Sequence, residues 1–164
     1  MFSLGDNSKV YPATDILLKK LDLGNDVVII GGGLVGCELA VWLAREGKNV
    51  TIVEVLNKLL AVNGPLCHAN SEMLEKLVPF SGVNVLTSSK VLKTIDNGVM
   101  VEVNGEKREI HADSIVLAIG YSSESSLYNE LEYEFSDIHV IGDARRVANI
   151  MYAIWDAFEV ANSI

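Results

Sequence analysis

Val27-Val28-Ile29-Ile30-Gly31-Gly32-Gly33-Leu34-Val35-Gly36 joins a run of β-branched residues directly to a G-x-G-x-x-G turn. Gly31, Gly33 and Gly36 fill the three glycine slots. An apolar-periodic segment over residues 34–46 follows and predicts a helix. Val50-Thr51-Ile52-Val53 then predicts a second strand, closed by Glu54. Strand, glycine turn, helix, strand and acid in this order form the dinucleotide-binding fingerprint with its context complete. A glycine-rich turn alone is ordinary; the flanking elements make this one informative.

Each position has a physical task. Gly31 permits the tight turn out of the strand, Gly33 lets backbone approach a pyrophosphate, and Gly36 lets the helix pack closely on the sheet. The free N–H groups at the helix start, around Leu34 and Val35, favour negative charge. Glu54, about 20 residues past the glycines, is placed to accept hydrogen bonds from an adenosine ribose hydroxyl. A carboxylate there repels a 2′-phosphate, and the first cation after it is Lys58, so NAD(H) is favoured over NADP(H).

Composition narrows the class. The chain has 164 residues, 49% of them hydrophobic, enough for one domain with a real core or one domain with fragments of another. Thirteen basic against 22 acidic residues give a formal charge of −9, which disfavours nucleic acid and anionic lipid as partners. No apolar run reaches the ~20 residues of a membrane span. Residues 1–5 read as a loose tail without a secretion signal. Cys37 and Cys67 stand 30 apart with no CxxC pair, which argues against a metal cluster and fits a reducing cytoplasm.

Residues 10–23 carry a short helical pattern, with Thr14 or Asp15 as N-cap. Residues 61–66 are an irregular connection. Asn70 or Ser71 begins a helix through Val78 with Met73, Leu74, Leu77 and Val78 inward, ended by Pro79. Residues 83–86 predict a third strand. Residues 90–95, 99–103 and 107–112 are strand-like runs separated by two Asn-Gly turns, which predicts a three-stranded antiparallel meander. Residues 114–120 are apolar, suited to the centre of a parallel sheet. Residues 138–143 predict a further strand, and residues 147–162 an amphipathic helix with Val147, Ile150, Met151, Ile154, Trp155, Phe158 and Ala161 on one face. The expected architecture is α/β: a Rossmann-like parallel sheet, helices on both faces, and a β-meander crossover.

Gly31-Gly32-Gly33-Leu34-Val35-Gly36-Cys37-Glu38-Leu39-Ala40, Ala118-Ile119-Gly120-Tyr121 and Val140-Ile141-Gly142-Asp143-Ala144 occur in sequence. Together they resemble the NAD(P)-binding domain of two-dinucleotide-binding-domain flavoproteins. Within that family the chain is similar to the C-terminal region of 2,4-dienoyl-CoA reductase and 2-enoate reductase, old-yellow-enzyme-like NADH:flavin oxidoreductases.

The resemblance implies several roles. Residues 24–136 would be the NAD(P) domain, with residues 1–23 and 137–164 as remnants of an FAD domain. Glu38 would lie near the nicotinamide; a charge favourable to the helix N-terminus is the alternative. Ala118, Ile119 and Gly120 would line the cofactor crevice, and Gly142 and Asp143 would contact the FAD ribityl chain. The parent enzyme would pass hydride from NADH to FAD, and electrons onward to an iron–sulfur and FMN barrel. The chain holds one G-x-G-x-x-G and no cluster cysteines, so it reads as a catalytically incomplete fragment in which FAD retention is doubtful. A stand-alone dinucleotide-binding or redox-sensing module without catalysis is a second reading, and a residual fold without a ligand, whose apolar 147–162 helix would need a self-association partner, is a third.

The remaining chemistry-bearing residues have plainer accounts. Cys37 is expected as a small buried hydrophobe, and Cys67-His68 as a loop or helix-start pair. His111 and His139 are expected as structural or surface residues. Arg145-Arg146 is expected as a solvated pair, with neutralisation of a phosphate as the alternative. Asp143, without the rest of its domain, would cap the final helix.

Overall fold

The computed structural model describes residues 9–19, 21–61 and 68–164. In chain order its first unit contains β1 (Val10–Pro12), α1 (Ala13–Lys19), β2 (Asp26–Ile30), α2 (Leu34–Arg45), β3 (Asn49–Val53), α3 (His68–Phe80), β4 (Asn84–Leu86), β5 (Ser89–Ile95), β6 (Gly98–Val103), β7 (Glu106–His111) and β8 (Ser114–Leu117). The expectations for residues 1–5 and 62–66, and for Cys67, lie outside the described residues.

The alternation of β-branched residues in β2 places apolar side chains on both faces, as a central parallel strand requires. The parallel sheet runs β1-β8-β2-β3-β4. Ile29 is in register with Ile52 on β3 and Val116 on β8. One face, through Val27, Ile29, Ile52 and Val116, packs on Ile16, Leu39, Leu43, Leu74 and Val78 from α1, α2 and α3. The other, through Val28, Ile30, Val53 and Ile115, packs on Val91, Val99, Val101 and Ala112. Burying a side chain such as Ile52, with no exposed surface, stabilises by roughly 1.5–3 kcal/mol.

The Rossmann-like sheet and the three-stranded meander β5-β6-β7 are both present. The helices of this unit, expected on both faces, share one, because the apolar side of the meander covers the other. The two hairpin turns also differ. Asn104 and Gly105 both have positive φ (53° and 82°), the signature of a type I′ turn. At the first turn only Gly98 does, because it pairs with Ile95 and leaves Asp96-Asn97 as the turn centre.

Other local expectations give way to tertiary context. Residues 10–12 form β1 alongside β8 rather than the start of a helix. Pro12 ends that strand at a sheet edge, where its missing N–H costs nothing; the helix opens at Ala13, so Thr14 and Asp15 lie inside its first turn. α3 runs through Pro79 to Phe80, since a proline this near the C-terminus removes a single ladder bond. Met73 is 48% exposed; Leu74 and Val78 carry the buried face.

The second unit comprises Tyr121–Ile164. It contains α4 (Ser126–Leu131), a 3-10 turn at Gly142–Ala144 and α5 (Ile150–Ala161). The strand expected over 138–143 does not form; no partner strand stands beside it among the described residues. α5 is capped by Asn149, whose Oδ1 accepts from the Tyr152 N–H at 3.2 Å, and not by Asp143. The contacts divide the chain after Gly120, which places β1 and α1 with the parallel sheet.

Candidate functional site

The glycine turn sits where β2, β3 and β8 end together. Gly31 N–H donates to the Val53 carbonyl at 2.9 Å, and Ala118 N–H to the Ile30 carbonyl at 2.8 Å. Gly31 has φ +109°, and a Cβ there would stand 2.4 Å from the Ala118 carbonyl oxygen. A Cβ on Gly36 would stand 2.0 Å from the Gly31 carbonyl oxygen. Both positions therefore exclude any side chain, and the absence of one lets α2 start against the turn.

Gly33 is the N-cap of α2 and supplies no side-chain cap. The first helical bond is Cys37 N–H to the Gly33 carbonyl, 3.0 Å. The amides of Leu34, Val35 and Gly36 precede that bond and have no intrahelical acceptor. They form an electropositive end, reinforced by the helix dipole, at the carboxyl edge of a parallel sheet, where ligands bind in open α/β folds. The structure thus brings Gly31, Gly33, Leu34, Val35, Gly36 and Ala118 into one neighbourhood, with Ile119 and Gly120 exposed at the end of the adjoining strand.

Glu54 lies at the tip of β3 and is only 8% exposed. Its Oε2 accepts from the Gly32 N–H at 2.5 Å, and its Oε1 from the Leu56 N–H at 2.8 Å. One carboxylate therefore braces both the glycine turn and the chain leaving β3. Each carboxylate oxygen has two lone-pair directions, so these two bonds do not exhaust its acceptor capacity. The Gly32 carbonyl in turn accepts from Leu60 N–H at 2.8 Å. The bracing of Gly32 by Glu54 and Leu60 was not readable beforehand; its only sequence trace is an acid closing the strand after a glycine turn.

Glu38 is exposed on α2, and its Oε1 accepts from Asn70 Nδ2 of α3 at 3.0 Å. Cys37 is fully buried, and its Sγ donates to the Gly32 carbonyl at 3.4 Å. Burial, with the nearby carboxylates of Glu54 and Glu38, pushes its thiol up to about 12. It is a packing residue and no nucleophile at neutral pH.

In the second unit Gly142 N–H donates to Asp156 Oδ2 at 3.1 Å, and Asp143 Oδ1 accepts from Ala148 N–H at 3.1 Å. These residues line a cavity of about 150 Å³ together with Arg145, Arg146 and Tyr152. The arginines are exposed yet engaged, in contrast to the solvated pair expected. Arg145 pairs with Asp156 at 3.0 Å, and the Arg146 guanidinium lies 5.6 Å from the Tyr152 ring centre. His139 pairs with Asp137 at the surface.

A family profile described as pyridine nucleotide-disulphide oxidoreductase matches residues 5–157. The chain is 53% identical over 156 residues to a cinnamate reductase of Clostridium sporogenes, covering 95% of this chain and 24% of that protein. It is 38% identical over 160 residues to an NADH oxidase of Thermoanaerobacter brockii, again 95% and 24%. A solved 2-naphthoyl-CoA reductase in complex with 2-naphthoyl-CoA superposes with TM-score 0.82 at 27% identity, over 97% of this chain and 24% of that one. The chain thus spans about a quarter of the length of these relatives.

Proposed function

The chain belongs to the pyridine nucleotide-disulphide oxidoreductase family, and from that premise we propose that it is the NAD(H)-binding part of a flavin-dependent reductase acting on an activated C=C bond. The larger relatives named cinnamate reductase and 2-naphthoyl-CoA reductase support that reaction class. The observation that carries the reading is the cradle at the end of β2. Two glycines exclude side chains there, the α2 amides are open to a ligand, and a braced carboxylate stands at the tip of β3.

The residues present fit a dinucleotide. The amides of Leu34, Val35 and Gly36 would hold the pyrophosphate, with Gly33 allowing close backbone approach. The remaining lone pairs of Glu54 would accept from the adenosine ribose hydroxyls, and its charge would oppose a 2′-phosphate. Ala118, Ile119 and Gly120 would flank the nicotinamide half, with Glu38 near the ring. The bound cofactor supplies the hydride; the protein fixes position and electrostatics.

For a flavin, the described residues offer Gly142 and Asp143 beside a small cavity. Residues 137–164 would serve as part of an FAD-binding domain, and the flavin's remaining contacts, with the iron–sulfur and FMN barrel, would come from the rest of a parent enzyme. Among the described residues no helix is long and apolar enough to cross a membrane; the cytoplasmic setting we propose rests on two cysteines without a CxxC pair.

Fluorescence titration of the purified chain with NADH and NADPH tests the proposal. Saturable binding, tighter for NADH, is expected. Tighter NADPH would overturn the role given to Glu54, and no binding of either would overturn the assignment of the crevice.

A further inference from the structure

The end of the sheet away from the glycine turn carries a second cluster of chemistry-bearing side chains. Asp26 opens β2, His111 closes β7, and Asp113 lies in the short link from β7 to β8. His111 Nε2 stands 3.8 Å from Asp26 Oδ2 and 3.7 Å from Asp113 Oδ1. One donor atom from each of the three lies within 4.8 Å of the others.

The other carboxylate oxygens are occupied. Asn49 Nδ2 donates to Asp26 Oδ1 at 3.1 Å, and the Asp26 backbone N–H donates to Asp113 Oδ2 at 3.0 Å. These bonds turn the remaining oxygens toward the imidazole, as outer partners orient the ligands of a metal. Gly24 makes room for the arrangement, since a Cβ there would stand 2.1 Å from Asp113 Cβ. The Asp26 N–H holds the Asp113 carboxyl below the usual carboxylate range, helped by the backbone of Asn25 and the charges of His111 and Lys9. Among nearby cations, Lys9 donates from Nζ to the Asp96 carbonyl at 3.1 Å, and Lys48 to the Leu23 and Gly24 carbonyls at 2.7 and 3.2 Å.

We propose that Asp26, His111 and Asp113 form a binding site for a divalent first-row cation of the zinc type, completed by water. One imidazole with two carboxylates suits such borderline ions. Bonds of roughly 2.0–2.2 Å set ligand atoms roughly 3.3–3.7 Å apart at tetrahedral to trigonal angles; the two imidazole–carboxylate spacings already stand at 3.8 and 3.7 Å, and the carboxylate oxygens, within 4.8 Å of each other, would draw together on the cation. His111 is 62% exposed at its side chain, which leaves solvent access for the remaining positions. The site lies at the start of β2, roughly 16 Å along the strand from the glycine turn at the rise of an extended chain. It therefore acts on stability, clipping the last strand of the meander to the parallel sheet, and takes no part in dinucleotide chemistry.

Isothermal titration of the metal-free full chain with zinc chloride tests this, with cobalt(II) absorption as the reporter of coordination. One saturable equivalent and a raised melting temperature are expected in the wild type. His111→Gln, an exposed change, should weaken zinc binding at least ~10-fold and leave NADH affinity unchanged; Asp26→Asn should weaken zinc similarly. Cys67→Ser should retain the site, which separates it from the Cys67-His68 pair. Absence of saturable binding would overturn the proposal. So would binding that survives His111→Gln or disappears with Cys67→Ser, or that leaves His111→Gln and the wild type equal in their cobalt spectra.

Discussion

The two units of the chain are held by different forces. In the first, Ile29, Cys37, Ile52, Val99, Ile115 and Val116 have no exposed surface, and two apolar layers enclose a parallel sheet. In the second, no residue from 121 to 164 is buried, and Ile150, Ile154, Trp155 and Phe158 of α5 stand more than half exposed. Its local geometry comes from polar ties: Asp156 to Gly142 and Arg145, Asp143 to Ala148, and Asn149 to Tyr152. Hydrophobic burial specifies a fold from within, whereas such ties shape a segment without supplying much stability.

The sharpest way to break this comparison is a pair of truncations. Ile52→Ala should cost about 2–5 kcal/mol through lost transfer and a cavity, while Phe158→Ala should stay within about 0.5 kcal/mol. Urea denaturation of both variants reads the difference. Equal losses would mean that α5 is packed in solution and that the contrast is false.

Glu54→Gln comes next. It leaves one of two braced amides facing a donor, at a cost of about 1–3 kcal/mol, and it should narrow the preference for NADH over NADPH. A denaturation midpoint with paired titrations checks both effects. Gly33→Val should raise the NADH dissociation constant at least ~10-fold, about 1.4 kcal/mol, with a smaller loss of stability than Ile52→Ala. Unchanged NADH affinity would show that the first unit is a scaffold whose crevice is unused.

Within the second unit, Asp156→Asn should cost at most about 1 kcal/mol, since its partner Arg145 is exposed. The smallest effect concerns acid. Asp113 titrates below its ordinary value when folded. Its contribution to stability is therefore complete above the unfolded carboxyl pKa and is lost as pH falls through the folded one. Asp113→Asn should flatten only that acid limb of a melting-temperature profile, measured between pH 5 and 2.

Most of the central unit was legible because its signals are local and repeated. The β-branched run at 27–30 with its glycine turn and the three strands of the meander took the structures expected, and the apolar run at 114–120 formed a strand that ends at Leu117. Side assignment was not legible: the alternation of Val28 and Ile29 shows that both faces are covered, but not that strands cover one of them. β1 is not legible because three residues ending in proline show no period, and its strand pairing is to β8. Residues 138–143 have strand composition but no neighbouring strand among the described residues, the converse error. In the site, the glycine positions and Glu54 could be named from spacing. The two amides that Glu54 holds could not, since they depend on where the chain passes after the turn. The approach of Asp26 to His111 and Asp113 is equally a product of topology, across some 87 positions of sequence.

Glu54 also bears on how such a protein could be re-engineered. The simplest recipe for admitting a phosphorylated coenzyme exchanges the acid at the end of the second strand for arginine. Here that exchange removes the acceptor of the Gly32 and Leu56 amides and places a five-donor cation where two donors already converge. Coenzyme choice and the integrity of the turn share one side chain. A change of specificity must therefore bring a new acceptor for Gly32 along with the new charge, and variants lacking one should lose stability together with their preference.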